Sequence, residues 1–267
     1  MKSIRLEDGM NFGQKVRYRA IKVFANACKV AFSIHLRLFP SARWEIPKFA
    51  PARKHASAPK RIPRIIWQTN YSNKVSLPIY VNFLFNRFIA PTYEYRYCDD
   101  DACDALVREN YPGTIWEAYS RLQVGAAKAD VWRLLVLLSH GGVYLDIDSN
   151  FAAPPEEFID AEASELLIAM KDGEITNYFM ASAPGNPLLQ QMIDKIVANI
   201  AENTLDSVYH LTGPTVVHAI AREQGVTPVL YQGVCTQGQF TNKKSQYVDK
   251  PNGTWWAEQS EKSIVRD

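Results

Sequence analysis

The sequence predicts an α/β fold in which helices flank a mainly parallel sheet over residues 61–267. Short apolar segments of strand length alternate there with longer segments whose apolar residues recur every three or four positions. Residues 64–68 form the first such strand, and residues 126–145 repeat the pattern as a helix, a two-glycine turn and a strand. Hydrophobic residues make up 47% of the chain and charged residues 22%, which is typical of a globular protein with a sizeable core.

Residues 1–60 are predicted to form a distinct N-terminal region. Residues 14–38 interleave basic and apolar side chains, a pattern typical of a helix that lies on an anionic membrane. The same pattern fits a helix that packs on the main domain with a solvated basic face, so both interpretations stay open. Residues 40–63 contain five prolines and several basic residues, which predicts an extended linker.

The remaining elements follow from periodicity and turn residues. Strands are predicted at residues 64–68, 93–97, 143–145, 166–170, 178–183 and 229–231. Helices are predicted from after Pro78 to Arg87, at residues 102–110, 114–122, 126–139 and 186–199, and after Thr212-Gly213-Pro214. Gly173 indicates a hairpin, residues 99–101 are expected to cap the helix that follows them, and Thr212 is expected to cap its own helix.

Charge and composition argue against several classes of protein. The formal net charge of +2 gives no indication of nucleic-acid binding. Four scattered cysteines fit no zinc-binding spacing, and reduced thiols suit a cytoplasmic location. The sequence has no apolar segment of membrane-spanning length and no signal-peptide pattern.

Asp146 and Asp148 are the first candidates for a functional site. In strand geometry they point to the same side, while Ile147 between them points into the core. Two carboxylates on one face repel each other, and a hard divalent cation such as Mg2+ or Mn2+ between them removes that repulsion. Because Mg2+ is usually held by carboxylates together with substrate phosphates, a phosphate-bearing ligand is also expected.

Asp130 and Arg133 lie three residues apart on the preceding helix and therefore share one side of it. They could form an ordinary intrahelical ion pair. Alternatively, the Gly141-Gly142 turn folds this helix back beside the strand, so that both side chains reach the same ligand as the two aspartates. No glycine-rich phosphate-binding loop is present, which leaves the phosphate to the metal.

Three separated motifs occur along the chain: Ile62-Pro63-Arg64-Ile65-Ile66-Trp67-Gln68, Ala129-Asp130-Val131-Trp132-Arg133 and Gly141-Gly142-Val143-Tyr144-Leu145-Asp146-Ile147-Asp148. Together they resemble the motifs of the family 32 glycosyltransferases. The resemblance covers about residues 61–256 and follows the order of the family. It implies a GT-A fold, a nucleotide-sugar donor, a Mn2+ or Mg2+ ion and retention of anomeric configuration.

The resemblance also implies roles for individual residues. Asp148 is similar to the direct metal ligand, and Asp146 to a contact with the ribose and sugar that reaches the metal through water. Asp130 and Arg133 are similar to the pair that holds the transferred sugar, and Trp67 to an aromatic side chain that stacks on the base. The other implied donor contacts are Gln68, Tyr144, Asn177 and Gly213. The family's C-terminal histidine has no counterpart, so Asp249, Asn252 or Thr254 is expected to complete the metal site.

The function implied by the resemblance is transfer of a hexose from a UDP- or GDP-linked donor to a glycan or lipid-linked saccharide. Surface polysaccharide or lipopolysaccharide synthesis would place the protein at the inner face of the cell membrane, where residues 1–60 would contact anionic lipid. An alternative reading of Asp146-Ile147-Asp148 is a haloacid-dehalogenase-like phosphohydrolase with Asp146 as nucleophile, but Ser149-Asn150 and the long α/β stretch before the motif fit it poorly.

Overall fold

The structure, a computed structural model, describes residues 10–242, 246–250 and 254–266. Its helices are α1 (Phe12–Leu38), α2 (Leu77–Ile89), α3 (Asp100–Asn110), α4 (Thr114–Arg121), α5 (Gly125–His140), α6 (Pro187–Glu202), α7 (Val208–Leu211), α8 (Pro214–Glu223) and α9 (Trp255–Glu261). Short 3-10 helices cover Pro155–Glu157 and Tyr231–Gly233.

The strands are β1 (Trp44–Glu45), β2 (Phe49–Ala50), β3 (Ile65–Thr69), β4 (Lys74–Val75), β5 (Glu94–Cys98), β6 (Gly142–Leu145), β7 (Ser149–Phe151), β8 (Glu165–Ala169), β9 (Ile175–Ser182), β10 (Val229–Leu230) and β11 (Cys235–Gln237). Seven of them form the central sheet in the order β10-β8-β9-β6-β3-β5-β2. From residue 64 to residue 230 every predicted strand and helix occurs in the predicted order, and the structure adds β4, β7 and α7.

The sheet is mixed, which corrects the prediction that it is mainly parallel. β3 runs parallel to β5 and to β6, and β10 runs parallel to β8. The pairs β2–β5, β6–β9 and β8–β9 are antiparallel. The short connection between β8 and β9 around Gly173 forces an antiparallel hairpin, as the sequence predicts, and β9 then lies antiparallel to β6 as well.

Five short strands, β1, β2, β4, β7 and β11, were not predicted, and the last two border the candidate site. β11 pairs antiparallel with β7, with Gln237 opposite Ser149 and Cys235 opposite Phe151. Strands of three residues carry too little alternation to be detected from sequence. This pairing places Gln237 directly beside the end of the Asp146–Asp148 turn.

Helices cover both faces of the sheet. On one face, α5 and α6 pack through buried side chains such as Trp132, Leu135 and Ile196 onto Tyr144 and Met180. On the other face the core is formed by residues that include Ile66, Phe83, Tyr95, Val143 and Phe179. The alternation along β6 sends Val143 and Leu145 to one core and Tyr144 to the other, as expected for a strand buried on both faces.

Two glycines make the tight turn from α5 to β6. Gly141 has φ 66° and Gly142 has φ 110°, values that side-chain-bearing residues rarely adopt. A Cβ on Gly141 would lie 2.7 Å from Pro184 Cδ, and one on Gly142 would lie 2.7 Å from the carbonyl oxygen of Ile65. Close packing therefore requires glycine at both positions, and this turn holds α5 against the strand that leads to Asp146.

The N-terminal region packs against the main domain. Ile21, Ala25 and Phe32 of α1 are buried in a small cluster with Phe240. The segment predicted to be an extended linker contributes β2, which pairs with the outer edge of β5. Among the described residues, no helix has the length and apolar character needed to cross a membrane.

Glu156 connects three parts of the chain near the start of β3. Its carboxylate accepts hydrogen bonds from Arg64 Nε at 2.8 Å and Thr92 Oγ1 at 2.8 Å, and it pairs with Lys60 Nζ at 2.9 Å. Burial acts to raise the pKa of Glu156, but the hydrogen bonds from Arg64, Lys60 and Thr92 outweigh it and lower the pKa to about 2.

We predict that Glu156→Gln destabilises the protein by about 1 kcal/mol at pH 7, because it removes the carboxylate charge that its hydrogen-bond partners stabilise. Solvent screening at a carboxylate more than one third exposed keeps the loss below the full linkage energy of the pKa shift. Because the pKa of Glu156 is lower in the folded state than in the unfolded state, its ionised carboxylate stabilises the protein above the unfolded-state pKa. This stabilisation is lost as the pH falls through the folded-state pKa. The difference between wild type and variant in urea unfolding should therefore close between about pH 4.5 and pH 2. Glu162→Gln, at an exposed position, is the control, and a pH-independent difference for Glu156→Gln would contradict the assignment.

Candidate active site

The Asp146-Ile147-Asp148 segment is a tight turn, held through its backbone by neighbouring elements. The sequence predicts an extended strand here, but β6 ends at Leu145 and Ser149 N donates to Asp146 O at 2.8 Å. The side chain of Gln68 donates to the same carbonyl at 3.0 Å. Ile147 is buried as predicted. The turn still directs both carboxylates into one cleft.

Two asparagines of α2 hold the other side of this turn. Asn82 Nδ2 donates to the carbonyl oxygens of Ile147 and Ser149 at 3.0 and 2.9 Å. Asn86 Nδ2 donates to Ser149 O at 2.9 Å, and its Oδ1 accepts from Phe151 N at 3.0 Å. The sequence analysis missed both residues, although two buried asparagines four positions apart on one helix face are a recognisable signal of a polar contact.

The two carboxylates converge on two glutamine side chains. Gln237 Nε2 donates to Asp146 Oδ2 at 3.0 Å and to Asp148 Oδ1 at 3.2 Å, and Gln246 Nε2 donates to Asp148 Oδ2 at 2.5 Å. Neither glutamine was predicted, because both lie far along the chain from the motif and only the β7–β11 pairing brings Gln237 there.

The helix residues Asp130 and Arg133 reach the same cleft. Arg133 pairs with Asp130 Oδ1 at 2.8 Å and with Asp146 Oδ1 at 3.4 Å, so one guanidinium bridges the helix and the motif. Both alternatives left open by the sequence thus hold together: the two residues form an intrahelical ion pair, and that pair faces the aspartates.

Asp130 is fixed by two further hydrogen bonds. Asn177 Nδ2 donates to its Oδ1 at 2.9 Å, and Thr212 Oγ1 donates to its Oδ2 at 3.0 Å. The prediction that Thr212 caps the following helix is wrong, because Gly213 is the N-cap residue of α8 and the Thr212 hydroxyl is turned inward. An N-cap hydroxyl would accept from a backbone N–H, whereas here the hydroxyl donates to the buried, charged carboxylate of Asp130.

Tyr144 completes the polar wall of the cleft. Its hydroxyl donates to Asp146 Oδ1 at 2.8 Å, and the Arg133 guanidinium carbon lies 4.5 Å from the centre of its ring. The cation–π contact holds Arg133 against Tyr144 of β6, and the hydrogen bond holds Asp146 there.

The site carries an excess of negative charge in a poorly solvated place. Burial raises the pKa of Asp130 to about 6, even though Arg133 and the hydrogen bonds from Thr212 and Asn177 lower it. Burial and then the charge of Asp146 raise the pKa of Asp148, and burial raises that of Asp146 despite Arg133. A cation added beside Asp146 and Asp148 would therefore be strongly attracted.

These side chains line an open cleft of about 550 Å3. Beyond Asp130, Arg133, Asp146 and Asp148, its walls include Thr69, Tyr71, Asp100, Tyr144, Asn177, Tyr209, Gln237, Gln246, Tyr247, Lys250, Thr254, Trp255 and Trp256. Carboxylates, one guanidinium, amides and aromatic rings in one cleft can together hold a polar ligand that carries phosphate, sugar and a ring system.

Three predicted donor contacts do not line the cleft. Trp67 is 3% exposed, donates from Nε1 to Gly141 O at 2.9 Å and packs edge-on against Trp132, so the structure corrects the expectation that it stacks on a base. Gln68 acts through the backbone of Asp146 as described above. Gly213 lies behind the wall, where a Cβ would come within 3.0 Å of the Tyr209 backbone.

The three candidates for the C-terminal metal ligand have different outcomes. Asp249 is turned away to Arg43, whose Nε and Nη2 lie 2.5 Å from its carboxylate oxygens, and it does not line the cleft. Thr254 lines the cleft and caps α9 through its hydroxyl. Asn252 lies outside the described residues.

The donor atoms at the motif fit a hard divalent cation. The group around Asp146 and Asp148 consists of carboxylate and carboxamide side chains, with the Thr254 hydroxyl on the same cleft, and oxygen ligands of this kind suit Mg2+ and Mn2+. No cluster of three or more histidine, cysteine, aspartate or glutamate residues occurs in the described part of the chain, so other oxygen donors would have to complete the coordination.

Comparison with known proteins agrees with this arrangement. Residues 78–165 match the family described as "Glycosyltransferase sugar-binding region containing DXD motif". An initiation-specific alpha-1,6-mannosyltransferase from Schizosaccharomyces pombe is 27% identical over 157 residues, which cover 51% of this chain and 39% of that protein. Mannosyl phosphorylinositol ceramide synthase CSH1 from Saccharomyces cerevisiae is 23% identical over 142 residues, covering 53% of this chain and 37% of that protein.

The chain thus spans less than half the length of either relative. Among solved structures, the PaToxG glycosyltransferase superposes with a TM-score of 0.50 at 17% identity, covering 79% of this chain and 80% of that one. The predicted GT-A fold and the resemblance to family 32 are confirmed. The phosphohydrolase alternative finds no support in these similarities.

We predict that Thr212→Val destabilises the protein by about 1–3 kcal/mol, because it removes a hydrogen-bond donor from the buried carboxylate of Asp130 at nearly constant volume. Urea unfolding followed by circular dichroism measures the loss. Thr212→Ser, which keeps the hydroxyl, is the matched control and should be closer to wild type. Equal stability of the valine and serine variants would show that the hydrogen bond does not stabilise the fold.

Proposed function

We propose, from the match of residues 78–165 to the glycosyltransferase sugar-binding region with a DXD motif, that the protein is a metal-dependent, retaining hexosyltransferase. Its donor in this proposal is a UDP- or GDP-linked hexose. The observation that carries the proposal is the convergence of Asp130, Arg133, Asp146 and Asp148, from two different elements, in one cleft. An ion pair between Asp130 and Arg133 that only stabilised the fold would not require the carboxylates of Asp146 and Asp148 beside it.

In this proposal Asp148 and Asp146 hold a Mn2+ or Mg2+ ion together with the donor diphosphate. When bound, the ion would neutralise the negative charge that develops on the departing nucleoside diphosphate. Asp148 is the direct ligand because its carboxylate is almost fully buried and its remaining contacts are amide hydrogens, which a cation can displace. Asp146 is shared between Arg133, Tyr144 and the ion, which suits a contact to ribose and sugar hydroxyls.

Arg133 and Asp130 are proposed to hold the transferred sugar. Asp130 is already oriented by Asn177 and Thr212, so its carboxylate can accept sugar hydroxyl hydrogens without reorganising. Arg133 brings a fixed positive charge to the side of the cleft where the sugar meets the diphosphate. Asn177 contributes its backbone oxygen to Arg133 at 2.5 Å, which locks the guanidinium in place.

The proposed reaction transfers the hexose with retention. The acceptor hydroxyl oxygen bonds to the anomeric carbon on the face from which the nucleotide leaves, the bond from that carbon to the diphosphate oxygen breaks, and the hydroxyl proton passes to the departing phosphate oxygen. The charge arrangement supports this route, since Asp130 is engaged by three donors and is poorly placed to act as a covalent nucleophile.

The proposed acceptor is a glycan or a lipid-linked saccharide, as in the synthesis of surface polysaccharide or lipopolysaccharide. The name of the Saccharomyces cerevisiae relative refers to a ceramide lipid, which supports a lipid acceptor, and both relatives are named for mannose. Mannose is accordingly the first hexose to test.

We predict that Asp148→Asn lowers metal-dependent sugar transfer roughly a thousandfold, because the substitution keeps the shape of the side chain but removes the charge that binds the ion. Release of nucleoside diphosphate from GDP-mannose, UDP-glucose and UDP-galactose, with saturating Mn2+ and with water or added saccharide as acceptor, measures the activity.

Asp249→Asn is the matched control, because Asp249 is paired with Arg43 outside the cleft. This variant should retain wild-type activity. Undiminished transfer by Asp148→Asn, or dependence on Asp249 in place of Asp148, would overturn the assignment of the metal site.

A further inference from the structure

Helix α1 has two apolar faces, and only one of them is covered. Ile21, Ala25 and Phe32 face the domain and are buried. A second series of apolar side chains, here called the outer stripe, runs along the opposite side with spacings of four and seven residues. The outer stripe consists of Phe12, Val16, Val23, Val30, Ile34 and Leu38, which are 49–83% exposed.

The outer stripe extends from one end of the helix to the other. Positions separated by seven residues, such as Val16, Val23 and Val30, fall on nearly the same line of an α-helix. The helix has 27 residues and is therefore about 40 Å long. Exposed apolar surface of this length marks an interaction site, because single exposed apolar residues are common but contiguous strips are not.

One border of the outer stripe is basic. Arg19, Lys22 and Arg37 are exposed, and the helix contains no acidic residue along its whole length. An apolar strip edged with arginine and lysine is complementary to a bilayer surface with anionic headgroups, because the strip enters the acyl boundary while the cations remain at the headgroups. A protein partner would require no such one-signed border.

We propose that the outer stripe of α1 docks on the surface of an anionic lipid bilayer and holds the helix parallel to the membrane plane. The body-facing side of α1 stays in its present contact with the domain. The domain is thereby attached to the membrane through a rigid helix instead of a flexible tail.

The docked helix also fixes where the cleft lies relative to the membrane. Lys29 Nζ donates to Gly238 O at 2.8 Å, and Gly238 N donates to Asp148 O at 3.0 Å. Phe24 and Phe85 pack against Phe240 on the same segment. Two hydrogen bonds thus connect the membrane-facing helix to the metal-binding turn, which places the cleft near the bilayer surface, where a lipid-linked acceptor would lie.

Co-sedimentation of the full chain with vesicles, without donor or metal, tests the docking. Vesicles of phosphatidylcholine alone are compared with equimolar phosphatidylcholine and phosphatidylglycerol. We expect binding to the anionic vesicles, weaker binding to the neutral ones, and a loss of binding when NaCl rises from about 0.05 M to about 0.5 M. The double variant Val23→Glu/Val30→Glu should lower the partition coefficient at least tenfold.

The control is Phe88→Glu/Leu205→Glu, which removes two exposed apolar side chains elsewhere on the surface and should bind like wild type. Circular dichroism melting checks that both double variants are folded. Equal vesicle binding by the two variants, or none by wild type, would overturn the proposal. So would a wild-type dimer in sedimentation velocity that Val23→Glu/Val30→Glu converts to a monomer, because a second copy would then cover the stripe. Donor turnover is not part of this measurement, so its outcome is independent of the proposed transferase activity.

Discussion

Three carboxylates and one guanidinium meet in the cleft, and the surrounding structure is arranged to keep them there. Removing charged groups from water costs several kcal/mol for each ion unless partners replace the lost hydration. Arg133 bridges Asp130 and Asp146, while Asn177 and Thr212 supply hydrogen bonds to Asp130. The negative charge still exceeds the positive charge among these partners. In the proposed function, a divalent cation that arrives with a diphosphate supplies the missing positive charge.

The scaffold fixes this arrangement through the backbone of the motif as well as its side chains. Carbonyl oxygens of the turn accept hydrogen bonds from Gln68 on β3, from Asn82 on α2 and from Gly238 after β11. Buried carbonyl groups need such partners, and each partner also fixes the direction of the adjacent carboxylate. The carboxylates are therefore oriented before any ligand binds, which lowers the reorganisation that the proposed transfer would need. Helix α1 joins the same network through Lys29, which donates to Gly238 O.

Much of the fold and the centre of the site could be predicted from sequence, because their signals are local. The periodicity of α5, the Gly141-Gly142 turn and the Asp146–Asp148 motif lie within one short segment, and the structure brings them together as expected. Partners contributed from distant segments could not be predicted. The position of Gln237 depends on the pairing of two three-residue strands. Trp67 is buried against Trp132 of α5, a contact that the residues around Trp67 in the sequence do not indicate.

The most direct test of the central claim is a crystal structure of the protein with Mn2+ and a nucleoside diphosphate, with the manganese located by anomalous scattering. We expect one strong anomalous peak about 2 Å from a carboxylate oxygen of Asp148, with the diphosphate on its other side and Arg133 facing the β-phosphate. The amide groups of Gln237 and Gln246 should have turned away from the carboxylates or reversed to present oxygen. A manganese peak outside this cleft, or a diphosphate bound without contact to Asp148 and Arg133, would contradict the account.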